Sequence, residues 1–129
     1  MTESPDAERF RKALDVHEGL LGFRWEQKLS PGQPEVTLDL WKLIFEHCFT
    51  DIWARPGLET RTRSFLTVSM LIALGSTDEL RFHIGTALNV GITREELVEV
   101  IIHSTAYCGV PRAAAAIKVA SEVFAERQS

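Results

Sequence analysis

The chain predicts an all-α fold: a single-domain bundle of six helices. Apolar residues recur at three- and four-residue intervals through nearly the whole sequence, the signature of amphipathic helices. Helix-start and helix-stop residues punctuate that pattern, and no segment alternates convincingly as a strand.

The elements come in this order. Ser4-Pro5 supplies an N-cap and a proline at the first helical position. Phe10, Leu14, His17 and Leu21 then form the stripe of a first helix that fades around residues 19–22. Ser30-Pro31-Gly32-Gln33-Pro34 breaks any helix, so residues 22–36 read as a linker or arm. A second helix is expected over about 37–53, with Trp41, Phe45, Cys48 and Ile52 as its stripe and Asp39, Lys42, Glu46 and Thr50 opposite. A third, near 59–74, is polar for two turns and then apolar almost all round, as a central bundle helix would be; Gly75 ends it. Thr77 caps a fourth, with Asp78 and Glu79 in its positive first turn, and Gly91 closes it. Thr93 with Glu96 reads as the capping box of a fifth. Gly109-Val110-Pro111 starts a sixth, where Ala113, Ile117, Ala120 and Phe124 face inward. Residues 1–129 are thus expected as one domain, with a helix and arm over 1–36 and a core over 37–127.

Composition narrows the function. The chain has 129 residues, 14 Lys plus Arg against 18 Asp plus Glu, and a net charge of −4. That balance argues against phosphate-backbone binding, so no nucleic-acid partner is expected. Two cysteines, Cys48 and Cys108, make neither a disulfide framework nor a four-thiolate metal site. The first residues carry no apolar signal core, and the longest apolar run, residues 65–74, is too short for a bilayer. A cytoplasmic protein with no membrane partner is the expectation.

Two constellations carry candidate chemistry. His83 shares a helix face with Leu80, Ile84 and Ala87, and Glu79 lies one turn earlier, where a carboxylate can orient the imidazole. Spacing alone favours the plainer reading, a core histidine satisfied by an edge glutamate. No second histidine stands at the spacing a metal site needs. Arg61 and Arg63 stand in the first turn of the third helix, where cations oppose the macrodipole by ~0.3–1 kcal/mol each. An anion bound there would answer both guanidinium groups and the free N–H groups; otherwise the arginines are solvated, or pair with Glu59 or another chain. Arg55 is a third cation near that corner. Residues two apart point to different sides of a helix, so one of the pair reaches a given pocket. His103, between Glu99 and Tyr107 at i, i+4 spacing, reads as a solvated edge or a subunit contact. Cys108 reads as a small hydrophobe, and His17 as structural.

Several motifs recur together. Trp53-Ala54-Arg55-Pro56-Gly57-Leu58, Arg61-Thr62-Arg63-Ser64, Ala73-Leu74-Gly75, Asp78-Glu79-Leu80-Arg81-Phe82-His83, Gly91-Ile92-Thr93-Arg94-Glu95-Glu96 and Tyr107-Cys108-Gly109-Val110-Pro111 stand in this order. The string resembles the γ-carboxymuconolactone decarboxylase family over roughly residues 38–124. That family is similar in fold to the alkylhydroperoxidase D-type proteins, all-α subunits that assemble as rings, so the resemblance implies a homo-oligomer, a trimer or hexamer. Those peroxidases carry Cys-x-x-Cys before the histidine matching His83; here the two positions are Ser76 and Glu79.

The resemblance implies cofactor-free decarboxylation of a small anionic lactone or carboxylic acid from aromatic catabolism. In that reading Arg61 or Arg63 takes the carboxylate and enolate oxygen, His83 delivers the proton, Glu79 orients it, and Trp53 and Tyr107 wall the pocket. Arg112-Ala113-Ala114-Ala115-Ala116 and Glu46-His47-Cys48-Phe49 depart from the family pattern, which leaves room for a paralogue acting on a related acid. Two other readings stand beside it: a thiol-dependent peroxidase using Cys108 or Cys48, and a non-catalytic helical oligomer.

Overall fold

A computed structural model describes residues 3–25 and 35–127 of the chain. Its described elements are helical, and six α-helices occur among them, one continued by a π-helical segment. The chain separates into two compact units, Met1–Gly57 and Leu58–Ser129. No helix among the described residues is long and apolar enough to cross a membrane.

The first unit holds α1 (Pro5–Leu21), α2 (Thr37–Phe45) and the π-helical segment Glu46–Trp53 that extends α2 without a break. Ser4 caps α1 as its sequence requires: its hydroxyl accepts from the Ala7 N–H at 3.2 Å. At the other end Gly22 adopts φ 80° and donates its N–H to the Glu18 carbonyl, the left-handed stop that glycine allows. The expected linker over residues 22–36 falls mostly outside the described residues.

The inward stripes differ from those read in the sequence. On α1 the buried residues are Ala13, His17 and Leu20, so Phe10, Leu14 and Leu21 flank the core instead of forming it. Beyond α2 the π winding rotates the apolar face. Phe45 and Phe49 are buried, whereas Trp41 and Ile52 are 36 % and 42 % exposed. The face expected to be solvated meets α1: Glu46 and Asp51 bind Arg9, and Thr50 Oγ1 donates to the Arg9 carbonyl at 2.8 Å. The core of this unit is aromatic, with His17 edge-on to Phe45 and Phe49 at ring distances of 4.7 and 5.2 Å.

The second unit holds α3 (Thr60–Leu74), α4 (Thr77–Asn89), α5 (Arg94–Cys108) and α6 (Val110–Glu126). Its core joins Val68 and Ile72 of α3, Leu80, Ile84 and Ala87 of α4, Leu97 and Ile101 of α5, and a stripe of α6. Gly75 ends α3 at φ 71°, the left-handed conformation that glycine allows, with the flexible end of the Arg112 side chain lying where a Cβ would stand. Ser76, not Thr77, occupies the cap position of α4, and Thr77 is its first helical residue. The capping box of α5 is formed: Thr93 Oγ1 accepts from the Glu96 N–H at 3.0 Å and Glu96 Oε1 accepts from the Thr93 N–H at 3.1 Å.

Two further expectations are corrected. Ile117 of α6 faces solvent, and Ala116, Val119 and Val123 take inward places beside Ala113 and Ala120. The small alanines let α6 approach its neighbours, so the stripe follows close contact more than side-chain size. On α3, only Ser64, Val68 and Ile72 are buried, while Leu66, Met70 and Leu74 are exposed. Its partners within the unit pack against one side, leaving an apolar face open.

Candidate functional site

His83 sits on the second turn of α4, half-buried, with its ring edge-on to Phe82 at 5.2 Å. The positions that share its face, Leu80, Ile84 and Ala87, are fully buried. Loss of hydration therefore dominates the ring, and burial holds its pKa below the ordinary histidine value. The Glu79 carboxylate, one turn earlier in the positive first turn of α4, pulls weakly the other way. Glu79 itself is exposed. The two residues share one electrostatic environment, with an imidazole that is neutral at pH 7 and a carboxylate that favours its protonation.

The arginines diverge, as a two-residue spacing on a helix demands. Arg63 turns inward and is half-buried; Arg61 turns outward. Arg61 donates to Glu96 Oε2, and its guanidinium lies 5.1 Å from the centre of the Phe65 ring. Its partner within the chain is thus not Glu59 but the capping carboxylate of α5, which this contact holds below the usual carboxylate range. The charge that opposes the α3 dipole is offset by a residue 35 positions away.

Tyr107 stands elsewhere. It is 80 % exposed, its ring 5.2 Å from that of His103, and it lines a groove of about 980 Å³ between α3 and α5. Phe65, Leu66, Met70, Val100 and Ile102 form the apolar part of this groove, and Glu95, Glu96 and Glu99 bring carboxylates to it. Of the seven candidate residues Tyr107 lines it; His83, Glu79, Arg61 and Arg63 do not. Carboxylates in its lining disfavour an anionic ligand. Leu66 and Met70, at i, i+4, carry the signal for this groove in the sequence, but their hydropathy equally describes a buried helix.

Trp53 and Arg55 belong to the first unit. Trp53 is the last, half-buried residue of the π-helical segment; Arg55 lies two residues on, exposed, with its N–H donated to the Ile52 carbonyl at 3.1 Å. Among the thiols, Cys48 is half-buried and desolvation raises its pKa, which lowers its nucleophilic thiolate fraction. Cys108 lies in the groove beside Tyr107. The residue that sequence reasoning missed is Arg9, whose partners lie 37 and 42 positions away and leave no local trace.

Residues 39–122 match the profile of the Carboxymuconolactone decarboxylase family. The chain is 36 % identical over 119 residues to a 4-carboxymuconolactone decarboxylase of Acinetobacter baylyi, covering 92 % of this chain and 89 % of the relative. It is 31 % identical over 102 residues to a nitrosuccinic acid decarboxylase of Metarhizium robertsii, covering 79 % and 71 %. A 15.0 kDa uncharacterized protein of Paracoccus denitrificans is 30 % identical over 122 residues, 93 % and 83 % of the two chains.

Proposed function

Because the chain belongs to the carboxymuconolactone decarboxylase family, we propose that it is a carboxy-lyase that removes CO2 from a small carboxylated lactone such as γ-carboxymuconolactone, or from a related small acid, without a resident cofactor. The observation that carries this reading is the match to a decarboxylase over nine-tenths of the chain. The names of the two decarboxylases share a chemical feature: each denotes an acid that also carries an electron-withdrawing group, a lactone in one case and a nitro group in the other.

The chemistry then asks little of the protein. The bond from the ring carbon to its carboxylate breaks, and the electron pair delocalises through the ring double bond onto the lactone carbonyl. A proton delivered by His83 to a carbon of the resulting enolate completes the reaction. Arg63 or Arg61 stabilises the carboxylate and the developing enolate oxygen. Arg55 adds positive charge, and Trp53 contacts the substrate's apolar parts. In the free protein burial keeps His83 neutral. A substrate that brings negative charge favours the imidazolium, so the proton donor is charged by the molecule it serves, and Glu79 orients it.

Ring assembly as a trimer or hexamer belongs to the same proposal. Leu66, Met70, Leu74 and Ile102 are each more than two-fifths exposed on the second unit, an open apolar face of the kind that subunit contacts cover. Sedimentation at micromolar concentration tests it; a strict monomer excludes it.

The direct test is His83→Gln assayed by CO2 release from γ-carboxymuconolactone. The expected result is a loss of kcat of about 10²–10⁴-fold, the usual worth of a general acid, with an unchanged far-UV circular dichroism spectrum. Wild-type turnover in the variant removes His83 from the mechanism.

A further inference from the structure

Arg9 lays its guanidinium across two carboxylates of the π-helical segment. Its Nε donates to Glu46 Oε2 at 3.2 Å, and Nη1 and Nη2 donate to Asp51 Oδ1 and Oδ2 at 2.7 and 2.6 Å. Thr50 Oγ1 binds the carbonyl of the same arginine at 2.8 Å, so α1 grips the segment through backbone and side chain together. Lys42 Nζ approaches the second Glu46 oxygen at 3.2 Å.

Glu46 and Asp51 are five residues apart. With α winding they would stand about 140° apart around the axis, too far round for one planar guanidinium to chelate both. A π turn closes i to i+5 and brings the two carboxylates to one side. The Ala54 N–H to Phe49 carbonyl bond, 3.0 Å long, is such an i to i−5 bond at the end of the segment. No proline or glycine within Glu46–Trp53 imposes this winding. It is a rare conformation, and two like charges brought to one side are favoured by a cation between them.

We propose that Arg9 is a positioning residue: by chelating Glu46 and Asp51 it holds the segment in π rather than α register, and so sets the directions in which Trp53 and Arg55 leave its end. The inference rests on the proposed role of those two residues in binding substrate. Reversion to α winding shifts the register by one residue and rotates the chain beyond the segment by about 100°, enough to turn a binding side chain away from its ligand.

The test uses the full chain with Arg9→Gln and Arg9→Lys, the lysine keeping the charge but unable to chelate two carboxylates. Two readings are taken, backbone amide resonances and steady-state kinetics with γ-carboxymuconolactone. Both variants are expected to move the resonances of residues 46–55 and speed hydrogen exchange at Ala54, leave the amides of α3–α6 in place, and raise KM about tenfold with kcat within twofold. Unmoved resonances over residues 46–55 would overturn the proposal. Moved resonances with an unchanged KM overturn the positioning role and remove Trp53 and Arg55 from binding, without touching His83. A fall in kcat at constant KM marks mere loss of folded protein and also overturns it. If the wild-type chain does not turn this lactone over, the functional reading fails, while the amide resonances still decide whether Arg9 holds the π register. Should Arg9→Gln not fold, Asp51→Asn, which removes the bidentate half of the clamp, decides by the same readings.

Discussion

The Arg61 guanidinium donates to the same Glu96 carboxylate that closes the capping box of α5. One carboxylate therefore serves both a helix end and a cation in the first turn of α3, whereas Arg63 is half-buried on another side of that helix. The expected consequence is an asymmetry between the arginines in the proposed reaction. Arg63→Gln should raise KM for the lactone acid by about 10- to 100-fold, the worth of one charge-assisted hydrogen bond. Arg61→Gln should change it less than threefold and instead lower thermal stability. Initial-rate kinetics on both variants, with melting curves beside them, check the assignment.

His83 makes the pH profile informative. Burial lowers its pKa and Glu79 opposes that shift, so as an acid in the free protein it is active only below a pKa under 6.5. Accordingly kcat/KM should fall as pH rises through that lowered value, and kcat should fall at a higher pH because bound negative charge favours the imidazolium. Glu79→Gln removes that raising influence and should move the kcat/KM limb toward acid. Profiles between pH 4.5 and 8.5 on the two proteins test this; coincident limbs would deny Glu79 its role.

The features legible in the sequence were those governed by local physics. Ser4, Gly75, Gly91 and the Thr93–Glu96 pair mark helix ends because capping and left-handed backbone act within a few residues. Leu80, Ile84 and Ala87 announced the buried face of α4. The hidden features were tertiary. Phe45 and Phe49 stand four apart, which suits an α-helix, and nothing nearby signals the π winding that swings Ile52 outward. Arg61 could not reveal Glu96 as its partner, since the α3–α5 packing that joins them is a property of the folded unit. Leu66 and Met70 looked like core because hydropathy cannot say which side of a helix its partners take.

The thiol-dependent reading makes the opposite demand on the cysteines. Cys48 is half-buried with its pKa raised by burial, and a thiol kept protonated is a poor nucleophile. The Cys48→Ser, Cys108→Ser double variant is expected to retain decarboxylation within about twofold of wild type. Any hydroperoxide reduction by the wild-type chain that vanishes in this variant would revive the peroxidase reading, so both assays belong on the same preparations.

His17 is expected to make the first unit sensitive to acid. It is 4 % exposed, ringed by Phe23, Phe45 and Phe49 at 4.7–6.0 Å, and its Nδ1 has no hydrogen-bond partner among the described residues. Desolvation pushes its pKa down to about 4. The unfolded chain protonates this ring near its ordinary 6.5 while the folded chain resists until about 4, so the unfolded state binds more protons between those values and stability rises with pH across the window. Falling pH should therefore cost up to about 3 kcal/mol, most of it between pH 6.5 and 4. His17→Phe, of similar shape and without a titrating group, should flatten that slope while keeping stability at pH 7. Urea unfolding followed by tryptophan fluorescence at several pH values measures it, with Trp25 at 4.5 Å from Phe45 as a reporter inside the same aromatic cluster. An unchanged slope in the variant would place the acid sensitivity on the carboxylates that bind Arg9 and Arg24 instead.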